Sequence, residues 1–109
     1  MDFKNEKQGA FMVVVPAGRM DAVTAPEFEQ ECERLIQSGE LKMVADMSAL
    51  EYISSAGLRS ILATAKKLKG QQGEIRFCGL EGMVEEVFSI SGFSSMFPVF
   101  DTRDDAIKD

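Results

Sequence analysis

Phe11-Met-Val-Val-Val15 is a run of apolar residues with no polar interruption. A strand with one wet face alternates apolar and polar positions, so this run predicts a strand buried on both faces. Buried strands belong to parallel sheets, whose crossover helices cover the two faces. Leu41 to Met47, centred on Val44, has the same character. Between the two runs, Phe28, Cys32, Leu35 and Ile36 recur at helical spacing and share one face. Thr24 and Glu27 have the spacing of a capping box, Pro26 suits a first helical turn, and Gly39 is placed to stop the helix. The sequence thus reads strand, helix, strand, the unit of a right-handed crossover.

The remainder extends this alternation. Asp2 to Lys7 is mostly charged and suits an edge strand, joined to the first buried run by a turn at Gln8-Gly9. Pro16 is expected to end that run, because proline cannot donate to a ladder. From Ser55, the residues Leu58, Ile61, Leu62, Ala65 and Leu68 mark a second helix, and Gly70 and Gly73 bracket a turn. Glu74 to Cys78 alternates as a strand with one wetter face. Val84, Val87 and Phe88 mark a third helix closed by Gly92, and Phe97 to Phe100 is a last short strand. The tail, Thr102 to Asp109, forms a final helical turn or frays. The expected order is β-β-α-β-α-β-α-β. This is an α/β fold with a mostly parallel sheet, an antiparallel N-terminal edge strand and helices in the crossovers. The 109 residues make one domain, 1–109.

Composition removes several classes of function. A net charge of −6 opposes direct contact with nucleic acid, whose non-specific binding rests on Lys and Arg. The basic cluster Lys66-Lys67-Leu-Lys69 lies at a helix end, where it complements the dipole. No apolar run is long enough to insert in a membrane, and the first residues lack the apolar centre of a signal peptide, so a cytoplasmic location is expected. Histidine is absent, which removes Ser-His and Cys-His nucleophilic schemes and the commonest metal ligand. Cys32 and Cys78 lack paired spacing and read as small buried hydrophobes. No phosphate-binding Gly-x-x-x-x-Gly-Lys-Ser/Thr loop is present, so an enzyme or a nucleotide-binding protein is poorly supported. No cofactor and no metal are expected.

Chemistry concentrates in Asp46-Met-Ser-Ala-Leu-Glu-Tyr-Ile-Ser-Ser-Ala-Gly-Leu-Arg59. An apolar run ends, a loop follows, and Ser54-Ser55 opens a helix. Asp46 is expected to organise a turn at Ser48. A serine at such a place can simply cap the helix. It also stands where a phosphate would meet free N–H groups and the positive end of the dipole. The capping partner is missing, since position 57 is Gly57 rather than Glu or Gln. Glycine in a helix costs roughly 1 kcal/mol against alanine, which is tolerated where another backbone or a partner approaches closely.

Three segments in register resemble the STAS family, the anti-sigma factor antagonist and sulfate transporter domains. They are Gly18-Arg-Met-Asp21 with Thr24-Ala, then Ile53-Ser-Ser-Ala-Gly57-Leu58, then Ile90-Ser-Gly92-Phe-Ser-Ser-Met-Phe97. The resemblance runs over nearly the whole chain. It implies a non-enzymatic module that binds an anti-sigma factor serine kinase when unphosphorylated. Phosphorylation of one serine releases it, and a phosphoserine phosphatase resets it. Aligned on Gly57-Leu58, that serine is Ser55. Position 54 carries Ser where many phosphorylated members have Asp, so Ser54 is the alternative site. The resemblance places Asp21 beside the phosphoserine on a partner-binding surface with Ser54, Ser55, Gly57, Leu58 and Arg59. Read from the residues alone, Asp21 is equally a solvated loop acid, Arg59 a solvated helix position, and Phe93, Met96 and Phe97 packing residues. Two alternatives keep the fold and change the client: a regulatory subunit of a lipid-transport ABC system, and a partner-switching pathway whose output is not a sigma factor. Oligomeric state stays open.

Overall fold

A computed structural model describes residues 1–108. Strands β1 (Asp2–Gln8) and β2 (Phe11–Met20) form an antiparallel hairpin, with Asp2 opposite Ala17 and Gln8 opposite Phe11. Then follow α1 (Ala25–Gln37), β3 (Lys42–Asp46), β4 (Leu50–Ile53), α2 (Ser55–Gly70), β5 (Glu74–Cys78), α3 (Gly82–Ile90), α4 (Phe93–Met96), β6 (Val99–Phe100) and α5 (Arg103–Ala106). The sheet runs β1-β2-β3-β5-β6, and every pairing after the hairpin is parallel. β4 pairs with the end of β2. The fold class is the one the alternation predicts.

Both faces of the sheet are buried, as the apolar runs require. Val14, Met43, Ala45, Ile75 and Phe77 join the larger core beneath the helices, which supply Phe28, Ile36, Ile61, Leu68, Val84 and Phe88. Their neighbours Phe11, Val13, Val44 and Cys78 point to the other face and pack under Ala106 of α5. Gly39, with φ +98°, closes α1: its N–H donates to Ile36 O and that of Glu40 to Leu35 O. Phe93 is buried and Phe97 half-buried in a ring cluster with Phe77 and Phe88, whereas Met96 is exposed. Burial pushes the thiols of both Cys32 and Cys78 up to about 12, so neither is a nucleophile near neutral pH.

Four local expectations are corrected. Pro16 does not end β2, because it lies between the β3 register, which stops at Val14, and the β4 register, which begins at Gly18. The stretch expected to be a loop before Ser54 contains β4, and a one-turn helix, α4, precedes the last strand. The Thr24–Glu27 capping box does not form: the Thr24 Oγ1 accepts the Asp21 N–H rather than that of Glu27, and the Glu27 carboxylate meets the Met1 amino group. Lys67 does more than face a dipole. It reaches across to α1, 2.9 Å from Glu33 and 3.8 Å from Glu29.

Asp46 organises the Ser48 turn as expected, accepting the Ser48 N–H at 3.1 Å. It also binds Arg103 of α5 through Nε at 3.0 Å and Nη2 at 2.9 Å, fastening α5 to the sheet. Burial by itself would raise the Asp46 carboxyl. The bonds from Ser48 and Arg103 outweigh burial and hold it below its usual range. A carboxylate with a lowered folded pKa contributes stability that is complete above its unfolded value and lost as pH falls through the folded one. The loss therefore falls below about pH 4, the unfolded carboxylate range. Asp46→Asn is expected to flatten this acid limb of the melting temperature against pH. An acid limb unchanged by the substitution would show that the Asp46 carboxyl titrates alike in the folded and unfolded chain. Among the described residues no helix is long and apolar enough to cross a membrane.

Candidate functional site

The sequence brings Asp21 and the serine pair together through two parallel strands. Met20 pairs with Ile53, so the residues that follow, Asp21 and Ser54, leave the carboxyl ends of β2 and β4 side by side. The Ser54 N–H donates to Met20 O at 2.9 Å and locks that level. Ligand sites of parallel sheets form at such strand ends. β4 makes this possible, and its signal in the sequence is short: Leu50-Glu-Tyr-Ile53 alternates and is rich in strand formers, but spans four residues.

Asp21 builds its own loop. Its Oδ1 accepts the N–H groups of Val23 at 3.0 Å and Thr24 at 3.1 Å. These two bonds, Thr24 first, draw the carboxyl below its usual range. Thr24 returns the favour: its Oγ1 accepts the Asp21 N–H at 2.9 Å while donating to Arg19 O at 2.6 Å. Asp21 is thus ionised and held, and Oδ2 carries no hydrogen bond among the described residues. Thr24 as the loop's clasp is a role the capping-box reading missed. Val23 beside it is 78% exposed, an apolar side chain offered to solvent. The Arg19 guanidinium lies over the Tyr52 ring, 4.0 Å from its centroid, at the next paired position of the two strands.

The two serines differ. Ser54 is the N-cap of α2 in extended conformation, and its side chain makes no capping bond. Its Oγ is buried and has no hydrogen-bond partner. Ser55, the first helical residue, is exposed. The first N–H groups of an α-helix have no intrahelical acceptor, and no side chain caps this one. An anion on Ser55 would meet these donors and the positive end of a sixteen-residue helix.

Gly57 faces inward. It is buried, and a Cβ there would stand 2.7 Å from Ile53 Cγ1, 3.0 Å from Met20 Cγ and 3.1 Å from Met20 O. The close approach that excuses a helical glycine is made by the chain's own β2 and β4. The space beside the Gly57 Cα is filled from within. Leu58 is half-buried against the core, and Arg59 is exposed. Gly57→Ala is expected to lose net stability of about 1 kcal/mol. Overpacking of ~1–3 kcal/mol opposes the ~1 kcal/mol gained in helix propensity. Urea unfolding measures it, and a variant as stable as the parent would show that Ile53 and Met20 yield freely.

The STAS domain family model matches residues 2–106. The chain belongs to the STAS family. Among STAS relatives, BtrV of Bordetella bronchiseptica, named provisionally as an anti-sigma factor antagonist, is 40% identical over 106 residues, covering 97% of this chain and 91% of its own. The structure of an anti-sigma factor antagonist from Mycobacterium paratuberculosis superposes with a TM-score of 0.88 at 29% identity, covering 97% of this chain and 90% of that one. The phosphorylated form of the Bacillus cell fate determinant SpoIIAA shares the STAS fold, with a TM-score of 0.74 at 18% identity over 97% of this chain and 96% of its own.

Proposed function

We propose that this STAS domain is an anti-sigma factor antagonist. Unphosphorylated, it binds an anti-sigma factor serine kinase through the surface around Asp21 and Ser55; phosphorylation of Ser55 releases it, and a phosphoserine phosphatase restores it. The observation that carries this reading is the contrast between the serines: Ser55 is exposed at an uncapped helix N-terminus, whereas the Ser54 hydroxyl is buried. A kinase must enclose the hydroxyl it modifies, which favours Ser55 over Ser54. The names of the relatives support the anti-sigma client, and a phosphorylated protein of the same fold supports the modification. The ionised Asp21 would orient the Ser55 hydroxyl or hold a cationic side chain of the kinase. The module performs no chemistry of its own and works in the cytoplasm, where the kinase finds ATP.

The test is intact-mass analysis after incubation with ATP and the purified anti-sigma factor kinase of the same genome. One phosphate is expected on the parent chain and on Ser54→Ala, and none on Ser55→Ala. A Ser55→Ala protein that still gains the phosphate would overturn the site.

A further inference from the structure

Helix α2 continues past the serine as a cationic line. Ser55, Arg59, Leu62, Lys66 and Lys69 succeed one another at steps of four, three, four and three. At 3.6 residues per turn they fall in a band about 80° wide and extend about 21 Å along the axis. All are exposed except Leu62, which is half-buried. The protein as a whole is acidic, with a net charge of −6. Several of its other cations are engaged by carboxylates: Lys7 by Glu40, Arg34 by Glu31, Lys67 by Glu33, Arg76 by Glu74, and Arg103 by Asp46, while Arg19 stacks on Tyr52. Arg59, Lys66 and Lys69 form no ion pair among the described residues. A row of free cations on one face of an acidic domain is a local field of the opposite sign.

The row ends in an apolar groove of about 370 Å³. Leu62, Ile75, Met96 and Phe97 line it, and its wall also holds Lys66, Lys69 and Glu74, the last paired with Arg76. Met96 is 56% exposed, so the groove presents apolar surface to solvent. Apolar pockets ringed by polar groups accept the anchor side chains of interfaces. Lysines in the wall select against a basic partner and favour an acidic one.

We propose that the kinase docks along the whole of this face, with an acidic surface over Arg59, Lys66 and Lys69 and one apolar side chain in the groove. This rests on the reading of Ser55 as the phosphorylated residue, and it adds a second anchor remote from that residue. A remote anchor contributes to binding without touching the reacting hydroxyl. Its removal therefore raises KM and leaves kcat unchanged.

The experiment is steady-state phosphorylation of the full chain by the purified anti-sigma factor kinase of the same genome. K66E/K69E is expected to raise KM by about tenfold or more at low salt, and this difference should shrink as salt screens it. Met96→Ser, at an exposed position that the fold tolerates, should raise KM by about fivefold with little salt dependence. Lys4→Glu, on β1, reverses one charge away from this face and should leave KM as it is. Melting temperatures establish that all variants are folded. A parent chain that gains no phosphate on Ser55 overturns the site reading and this inference together. Normal parent kinetics, with K66E/K69E and Met96→Ser both matching Lys4→Glu, overturn this inference alone. A parent that dimerises without kinase, and whose dimer K66E/K69E dissolves, assigns the groove to a second copy and also overturns it.

Discussion

Phosphorylated on Ser55, the protein is expected to bind the anti-sigma factor kinase roughly a thousandfold more weakly than the unmodified chain. The modification adds about −1.5 to −2 charges and three acceptor oxygens. Within the domain these are tolerated, because Ser55 opens α2 and the free N–H groups of the first turn accept an anion. Arg59 lies one turn on along the same face. A partner surface shaped around a small neutral hydroxyl has no such donors, and burying an unpaired charge there costs several kcal/mol. At ~1.4 kcal/mol per factor of ten, that is about three orders of magnitude. Titration calorimetry of both forms measures the difference. Ser55→Asp should reproduce it only in part, since it carries one charge and lacks the tetrahedral oxygens, and Ser55→Ala should bind like the parent. Equal affinities for the two forms would end the switch reading, even if the serine is modified. Since the fold can absorb the phosphate locally, the phosphorylated domain should melt near the temperature of the unmodified one. Release then comes from the partner's side of the interface, not from unfolding.

Phe77→Ala is expected to be the most damaging single truncation of the core, at about 3–5 kcal/mol. Phe77 is fully buried on β5, and its ring centroid lies 5.1 Å from that of Phe88 and 5.3 Å from that of Phe97. Phe93 completes the cluster by contacting Phe88 and Phe97. The ring therefore joins the central sheet to α3 and to the segment that leads into β6, with α4 packed behind them through Phe93. Its loss leaves a cavity between β5, α3 and the segment before β6 that these would have to close together. Against a total stability of ~5–15 kcal/mol, this is a large share. At ~4 °C per kcal/mol for a domain of this size, melting should fall by roughly 15 °C in a calorimetric scan. A fall of only a few degrees would show that α3 and α4 collapse onto the sheet without the ring. The groove beside Met96 and Phe97 shares this support, so Phe77→Ala should also weaken kinase binding in the folded fraction.

Much of this architecture is written in periodicity. Runs such as Phe11 to Val15 specify strands buried on two faces, and the spacing of Phe28, Cys32, Leu35 and Ile36 specifies the face of α1, because burial on a sheet or helix repeats at a fixed interval. Gly39 and Gly92 mark helix ends for a reason equally local, since each takes a positive φ. The order of these signals suffices for a parallel sheet with an antiparallel edge. The three motif segments then single out Asp21 and the serine pair before any contact is known.

Other features have no local signature. Pro16 reads as a strand end from its missing N–H, yet β2 continues because two different neighbours share its length and the proline falls between them. β4 is four residues long and gains its hydrogen bonds only from the end of β2. Thr24 and Glu27 have capping-box spacing, but the Thr24 Oγ1 accepts the Asp21 N–H instead of the Glu27 N–H, which goes to Thr24 O. A short strand and a one-hydrogen-bond choice are each settled by margins of about 1 kcal/mol, which partners distant in sequence supply.

The same division runs through the site. Sequence by itself determined the fold class, the two serines at a helix start and the oddity of Gly57, because each follows from residue type and spacing along the chain. Only the tertiary structure decided that Gly57 makes room for Met20 and Ile53, that the Ser54 hydroxyl is buried while Ser55 is exposed, and that Asp21 stands beside them. It also decided that Lys67 is paired while Lys66 and Lys69, one and two residues away, stand free beside a groove. The physical reason is that accessibility and pairing depend on what the rest of the chain brings alongside a residue, and nothing in its immediate neighbours along the sequence encodes that.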